Sequence, residues 1–297
     1  MSLSAEKVIA ASNAWSWIPD NAITEATEEY LLVRFPDYFD HPLELLRFSP
    51  TEASGGVGAS PQAVERVLDR ARRFGLPDLH WWVRLNSPPE VADLLVARGA
   101  TVAETLDVLA VDLSRGAPEL LPPTRPVSLR WATDLATLRD GTQVGVTVFG
   151  GSMPPEERLE EESKRDSGTV AAGDGGMVVA YADGDPVGSG GVSMAEGVAR
   201  LWGGAVRPEA RRQGVYRAIL GARLRYGAAH GATLALVKGR IETSAPILRQ
   251  AGFAAYGQEI MYRVPLAQAL SARHRPATHR SATPLTPIRD VVGVGDR

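Results

Sequence analysis

The chain has 297 residues, is 44% hydrophobic and 23% charged, a composition that excludes wholesale disorder and permits one large domain or two of ordinary size. Its formal charge of −3 supplies no excess positive field for a phosphate backbone, so no nucleic-acid partner is expected. The absence of cysteine removes disulfides, thiolate metal sites and cysteinyl intermediates.

No apolar run is long enough to span a bilayer, and Glu6 and Lys7 interrupt the start where a secretory leader needs an apolar stretch. The expectation is a cytoplasmic protein with no membrane partner. The basic residues are nearly all arginine, with lysine only at Lys7, Lys164 and Lys238, a bias read as compositional rather than functional. An Arg- and Ala-rich helix is expected to stop at Gly75 and to feed an apolar strand over Leu79–Arg84. Trp81 and Trp82 stand in that strand, where alternation sends one ring to each sheet face. Residues 94–113 then read as a helix end, a glycine cap at Gly99 and a pair of strands. Gly116–Pro126 holds four prolines and no hydrophobic period, which places a linker at 117–126.

Past the linker, Leu129–Trp131 suits a short strand, Asp134 caps a helix to about Val146, and Pro154–Arg165 suits a second helix. Met177–Ala182 and Pro186–Ser193 flank the turn Asp183-Gly184-Asp185, and a third strand follows Gly197 and ends at Val206. A helix over Arg211–Ala228, a strand at Leu234–Lys238, a helix at Ser244–Gln250 and strands near Ala254 and Ile260–Val264 complete the order. Residues 247–266 align without gaps on 94–113 at an offset of 153, pairing Leu95 with Leu248, Gly99 with Gly252, Val111 with Val264 and Leu113 with Leu266. Two related domains in tandem, 1–116 and 127–266, are expected, against the alternative of one mixed α/β domain. Residues 267–297, rich in Arg, Pro, Ser and Thr, read as a surface tail.

Chemistry concentrates in Val206–Leu220, VRPEARRQGVYRAIL. A strand ends, Pro208 stops it continuing, and a helix begins among arginine and glycine. The unpaired amides and positive dipole end of such a helix form an anion site, Gly214 admits a bulky phosphate, and Arg211 and Arg212 add full charges. The string is not a P-loop, and Gly188-Ser189-Gly190-Gly191 does not complete a dinucleotide fingerprint. The five histidines lack a metal-ligand spacing such as H-E-x-x-H, so no metal is expected.

The motif R-x-x-G-x-Y at Arg211, Gly214 and Tyr216, after a strand ending Val206-x-Pro208, resembles the acetyl-CoA pyrophosphate loop of the GNAT acetyltransferase superfamily. The usual motif is Q/R-x-x-G-x-G/A, and Tyr216 departs from it at the last position. Ser244–Phe253, SAPILRQAGF, resembles the helix ending in Gly-Phe that closes the family's cofactor groove. The resemblance implies an α/β (α+β) fold: two GNAT-like domains, each built on a mixed, mostly antiparallel sheet flanked by helices, the N-terminal copy diverged. It further implies acetyl-CoA or another acyl-CoA as co-substrate, held by Ala205, Val206, Arg211, Arg212, Gln213, Gly214, Val215 and Tyr216, and N-acyl transfer to the amine of a small molecule.

Direct attack in a ternary complex is expected, since no cysteine or convincing Ser-His pair offers a covalent route. In the family a backbone N–H near the end of the fourth strand polarises the thioester; Gly203, Gly204, Ala205 and Val206 stand there, and paired glycines tolerate the required bulge. The family's tyrosine acid falls on Leu248, which holds no proton. Glu242 and Tyr256 are the leading replacements, beside Tyr262, Glu196, Glu156 and Glu157. The first half lacks an arginine pair before its counterpart helix near Gly58–Pro61 and is expected to shape the acceptor pocket. The vacant tyrosine position keeps open an acyl-CoA-binding regulatory or scaffold protein without turnover. A monomer or homodimer is expected.

Overall fold

The computed structural model describes residues 3–50 and 59–266. The first half contains α1 (Ala5–Asn13), β1 (Ile23–Ala26), β2 (Tyr30–Arg34), β3 (Leu43–Phe48), α2 (Pro61–Arg72), β4 (Asp78–Val83), α3 (Val91–Val96) and β5 (Thr101–Asp112). The second contains β6 (Ser128–Trp131), α4 (Leu135–Phe149), α5 (Glu156–Asp166), α6 (Thr169–Ala172), β7 (Gly175–Ala182), β8 (Asp185–Ala195), β9 (Val198–Val206), α7 (Val215–Ala229), β10 (Leu234–Arg240), α8 (Ser244–Gln250) and β11 (Ala254–Pro265). Local chemistry sets the helix starts: the Asp134 carboxylate accepts the Thr137 amide at 2.8 Å, and Ser60 Oγ accepts that of Ala63 at 3.1 Å.

All eleven strands form one sheet in the order β1-β2-β3-β4-β11-β5-β10-β9-β8-β7-β6. Pairing is antiparallel except for β3 with β4 and β9 with β10, the two pairs whose connections run through α2 and α7. Each half lends a strand to the other: β11 lies between β4 and β5, and β5 lies between β11 and β10. β5 and β11 begin and end at the same offset of 153 residues that aligns their sequences. Gly99 and Gly252, which precede them, both take the left-handed conformation that ends a helix, at φ 81° and 91°.

Where the sequence reads as two strands after each of these glycines, the structure has one long strand. No turn residue interrupts Thr101–Asp112, and in β11 the shift in register between Ala255 and Gln258 is absorbed as a bulge around Gly257, at φ 137°. The core divides across the sheet. Trp81 is fully buried with Leu32, Leu45 and Leu68, and meets Phe48 edge-on at 5.0 Å. Leu201 and Val237 of the sheet pack with Leu220 and Leu224 of α7 and Leu248 of α8. On the other face Val8 of α1 covers Val108, Ala110, Leu234 and Leu236.

Candidate active site

β9 and β10 pair from Val198–Leu234 to Leu201–Val237, then run on to Val206 and Arg240 without pairing to each other. The parting coincides with a bulge. Register against β8 moves from Gly191–Trp202 to Ser189–Ala205, so Gly203 and Gly204 together oppose a single residue, with Gly203 left-handed at φ 59°. A cavity of about 610 Å³ occupies the gap. Val237 faces the α7–α8 side and Lys238, next along β10, faces the α1 side; both line this cavity, which therefore opens through the sheet.

At its mouth the chain departs from the expected helix. Pro208–Ala210 make one 3-10 turn, Arg211 is extended, and Arg212 and Gly214 are left-handed at φ 62° and 81°, so α7 starts only at Val215. The backbone amides from Arg212 to Arg217 donate to no acceptor among the described residues. Exposed Arg211 and Arg212 stand beside them, the former anchored by Nε donating to the Val206 carbonyl at 3.2 Å. Free amides, a helix dipole and two guanidinium groups fit a diphosphate.

The segment between β5 and β6 braces this loop. The Thr124 amide donates to the Gln213 carbonyl at 3.0 Å, Arg125 to Gln213 Oε1 at 3.0 Å, and Arg217 Nε to the Leu121 carbonyl at 3.2 Å. Of the expected cofactor residues, Val206, Arg211, Arg212, Gly214, Val215 and Tyr216 line the cavity. Ala205 is buried in the core and Gln213 is turned to Arg125, so neither lines it.

The glycines of β8 have a packing reason. A methyl group on Gly188 would press on Ile219, one on Gly190 would press on the Arg223 guanidinium, and one on Gly191 would overlap the Trp202 ring. Arg223 fits into the space so left, donating to the Gly191 and Trp202 carbonyls, each at 3.3 Å. It lines the cavity, and burial lowers its pKa from the ordinary arginine value.

The sequence-derived acids lie elsewhere. Glu242 is exposed before α8, and Tyr256 packs on the hydrophobic cluster beneath α1; neither lines the cavity. Tyr262 belongs to the core under α2, Glu156 is paired with Arg139, and Glu196 forms the turn between β8 and β9. Leu248, in the tyrosine position, is fully buried.

Ionisable groups that the sequence did not single out stand on the α1 side. Lys238 Nζ donates to Glu259 Oε2 at 2.7 Å, and Glu259, 1% exposed, also accepts from Ser12 Oγ at 3.0 Å. Burial brings Lys238 down to about 8 against the opposing pull of Glu259. Trp82, the outward member of the tryptophan pair, donates Nε1–H to Glu44 Oε2 at 3.0 Å. Burial pushes Glu44 up to about 7, opposed by that hydrogen bond and aided by the Glu104 charge. A lysine inside the apolar strand Leu234–Arg240 was the legible signal; Glu44 carried none, because an acidic residue in an alternating strand ordinarily faces water.

Among the described residues no helix is long and apolar enough to cross a membrane, and no three His, Cys, Asp or Glu residues are grouped to hold a metal ion. No curated protein matches the chain by sequence. Solved structures share its fold. A GCN5-related N-acetyltransferase from Sphaerobacter thermophilus is 17% identical with a TM-score of 0.61, covering 89% of this chain and 86% of its own. One from Kribbella flavida is 18% identical at a TM-score of 0.57, covering 89% and 96%. A tandem GNAT protein from the clavulanic acid biosynthesis pathway is 14% identical at 0.58, covering 88% of each chain. The segment that holds the bulge, the free amides and the arginines falls within residues 146–246, which match the model of the acetyltransferase (GNAT) family.

Proposed function

We propose that the protein is an acyl-CoA-dependent N-acyltransferase that moves acetyl from acetyl-CoA to the amine of a small molecule. The row of unaccepted amides from Arg212 to Arg217, beside two arginines and at the mouth of a cavity that passes through the sheet, carries this reading. In it the diphosphate sits on the start of α7 and the pantetheine arm enters between β9 and β10. A strand backbone freed from pairing at Gly203–Gly204 offers N–H to the thioester oxygen.

The acceptor arrives from the α1 side. Its ammonium loses one proton to a protein base and attacks the thioester carbon. The N–C bond forms, the C–S bond breaks, and the second proton shed by nitrogen is taken up with the departing sulfur. Transfer is direct, in a ternary complex. We read the halves as related domains of which only the second holds acetyl-CoA: at the start of α2 the Ser60 cap uses the Ala63 amide and Pro61 has no N–H. Gly55, Gly56 and Gly58, the other amides considered there, lie outside the described residues.

Calorimetry tests the assignment. Acetyl-CoA is expected to bind at one site per chain, and Arg211→Ala with Arg212→Ala to weaken it at least about tenfold, since hydrogen bonds to charged groups are worth about 1.5–3 kcal/mol each. Unchanged affinity in the folded double variant, or two equivalent sites, would overturn it. Gly214 is a poor test position, because a side chain there meets Pro123 Cα at 2.7 Å and the left-handed φ penalises any replacement. With a turned-over amine, initial-rate plots should intersect; parallel plots would remove direct transfer. The buried Leu248 favours a second reading, binding without turnover. Release of free CoA across an amine library separates the two.

A further inference from the structure

Beside the through-sheet cavity lies a second chamber of about 280 Å³, and Leu106 and Lys238 line both. Its walls are aromatic: Trp15 and Trp17 follow α1, Phe35 and Phe39 come from the β2–β3 connection, and Trp82 from β4. The aromatic side chains hold one another, with Phe35 and Phe39 centroids 5.2 Å apart and Trp17 and Phe39 6.0 Å apart. Nearly all this wall belongs to the first half of the chain. The second half reaches it through Lys238 and Glu259.

The charges of the chamber divide into satisfied and unsatisfied. Glu259 has the Lys238 ammonium at 2.7 Å and Arg84 Nε at 3.7 Å. Arg84 spends its Nη donors on backbone, including the Trp15 carbonyl at 2.9 Å, and on Ser16, while its buried Nε makes no hydrogen bond among the described residues. Glu44 differs: its recorded partner is the neutral Trp82 N–H, and it forms no ion pair among the described residues. A carboxylate with a free oxygen, walled by aromatic rings in a chamber that shares Leu106 and Lys238 with the acyl-transfer cavity, is complementary to a cation that carries a flat apolar body.

We propose that this chamber is the acceptor subsite, and that it selects an arylalkyl amine whose ammonium pairs with Glu44 while its ring lies among Trp15, Phe35, Phe39 and Trp82. The inference rests on the acyltransferase reading, within which Glu44 is also suitably placed on the acidity scale to take the first amine proton.

The test uses the full chain and three probes in calorimetry: 2-phenylethylamine, 2-phenylethanol, which keeps the ring without the charge, and glucosamine, which keeps the amine on a polar body. The phenylethylamine is expected to bind once per chain, at least about tenfold tighter than either of the others. Glu44→Gln should remove that advantage over the alcohol. Phe39→Leu, which removes one aromatic ring from the wall without touching the carboxylate, should weaken both phenyl probes together. Equal binding of amine and alcohol by the unaltered chain, binding of glucosamine as tight as that of the amine, or an undiminished amine preference in Glu44→Gln would each overturn the proposal. Acetyl-CoA titrated into the same samples separates this result from the underlying reading. Acetyl-CoA binding without amine selectivity refutes the chamber alone, whereas selective amine binding without acetyl-CoA binding refutes the acyltransferase and leaves the chamber as an amine site with no acceptor role.

Discussion

Glu44 and His80 are register partners on β3 and β4, and they titrate with opposite sign. Burial and the neighbouring Glu104 raise Glu44 from 4.5 to about 7. Between those values the folded protein binds more protons at this site than the unfolded chain, so the site's contribution to stability falls as pH rises through the window and is level above it. His80, stacked on His41 at 4.0 Å, is brought from 6.5 down to about 4 by burial and by His41. There the unfolded chain binds more protons, and stability rises with pH through that lower window. Urea midpoints of Glu44→Gln should therefore gain on those of the unaltered chain from about pH 4.5 to 7 and then hold constant. A difference independent of pH would show that the carboxyl is not perturbed. Neither shift was legible in the sequence, because both depend on what a neighbouring strand places against the side chain.

The bulge in β9 is the element on which the site turns, and its glycine pair was legible as a place where a strand tolerates distortion. Gly203 has nothing within 4 Å of where a β-carbon would stand, so replacing it tests backbone conformation without steric confusion. Gly203→Val should cost about 1–2 kcal/mol, the penalty of a left-handed L-residue, or else straighten the strand and lose acetyl-CoA affinity at least tenfold. A variant with stability and affinity both unchanged would mean that the bulge is not required. α7 starts four residues later than the sequence pattern predicts, since arginine and glutamine favour a helix locally while the left-handed turn at Arg212 is imposed by its surroundings. The role of the β8 glycines was hidden for a similar reason, since the groups they make room for, Ile219, Arg223 and Trp202, lie on other elements.

At the scale of the molecule, two segments of matching pattern were legible in the sequence, and so was the proline-rich stretch at 117–126. What neither showed is that β5 and β11 cross into the opposite half. Pattern reports which residues form strands; the partner of a strand is decided by all the edges on offer. A fragment from Val127 to Leu266 would keep β11 but lose both of its neighbours, β4 and β5, and would leave β10 with an open edge. Such a fragment is expected to lack near-ultraviolet circular dichroism and to aggregate, and co-expression with residues 1–116 should restore solubility. A soluble fragment with native-like dichroism would show that the second half completes a sheet by itself.

The same crossing sets a timetable for synthesis. β4 leaves the ribosome with the edge that β11 will occupy still open, and β5 has neither partner until β10 and β11 follow. At about 5–20 residues per second, the wait between the end of β5 and the start of β11 is roughly 7–30 seconds. Through that interval Trp81 and Trp82 ride on a strand with an exposed ladder. The yield of the protein in a cell is thus tied to how fast its second half is translated and to whether a chaperone covers that edge, a dependence that the equilibrium stability of the finished sheet does not reveal.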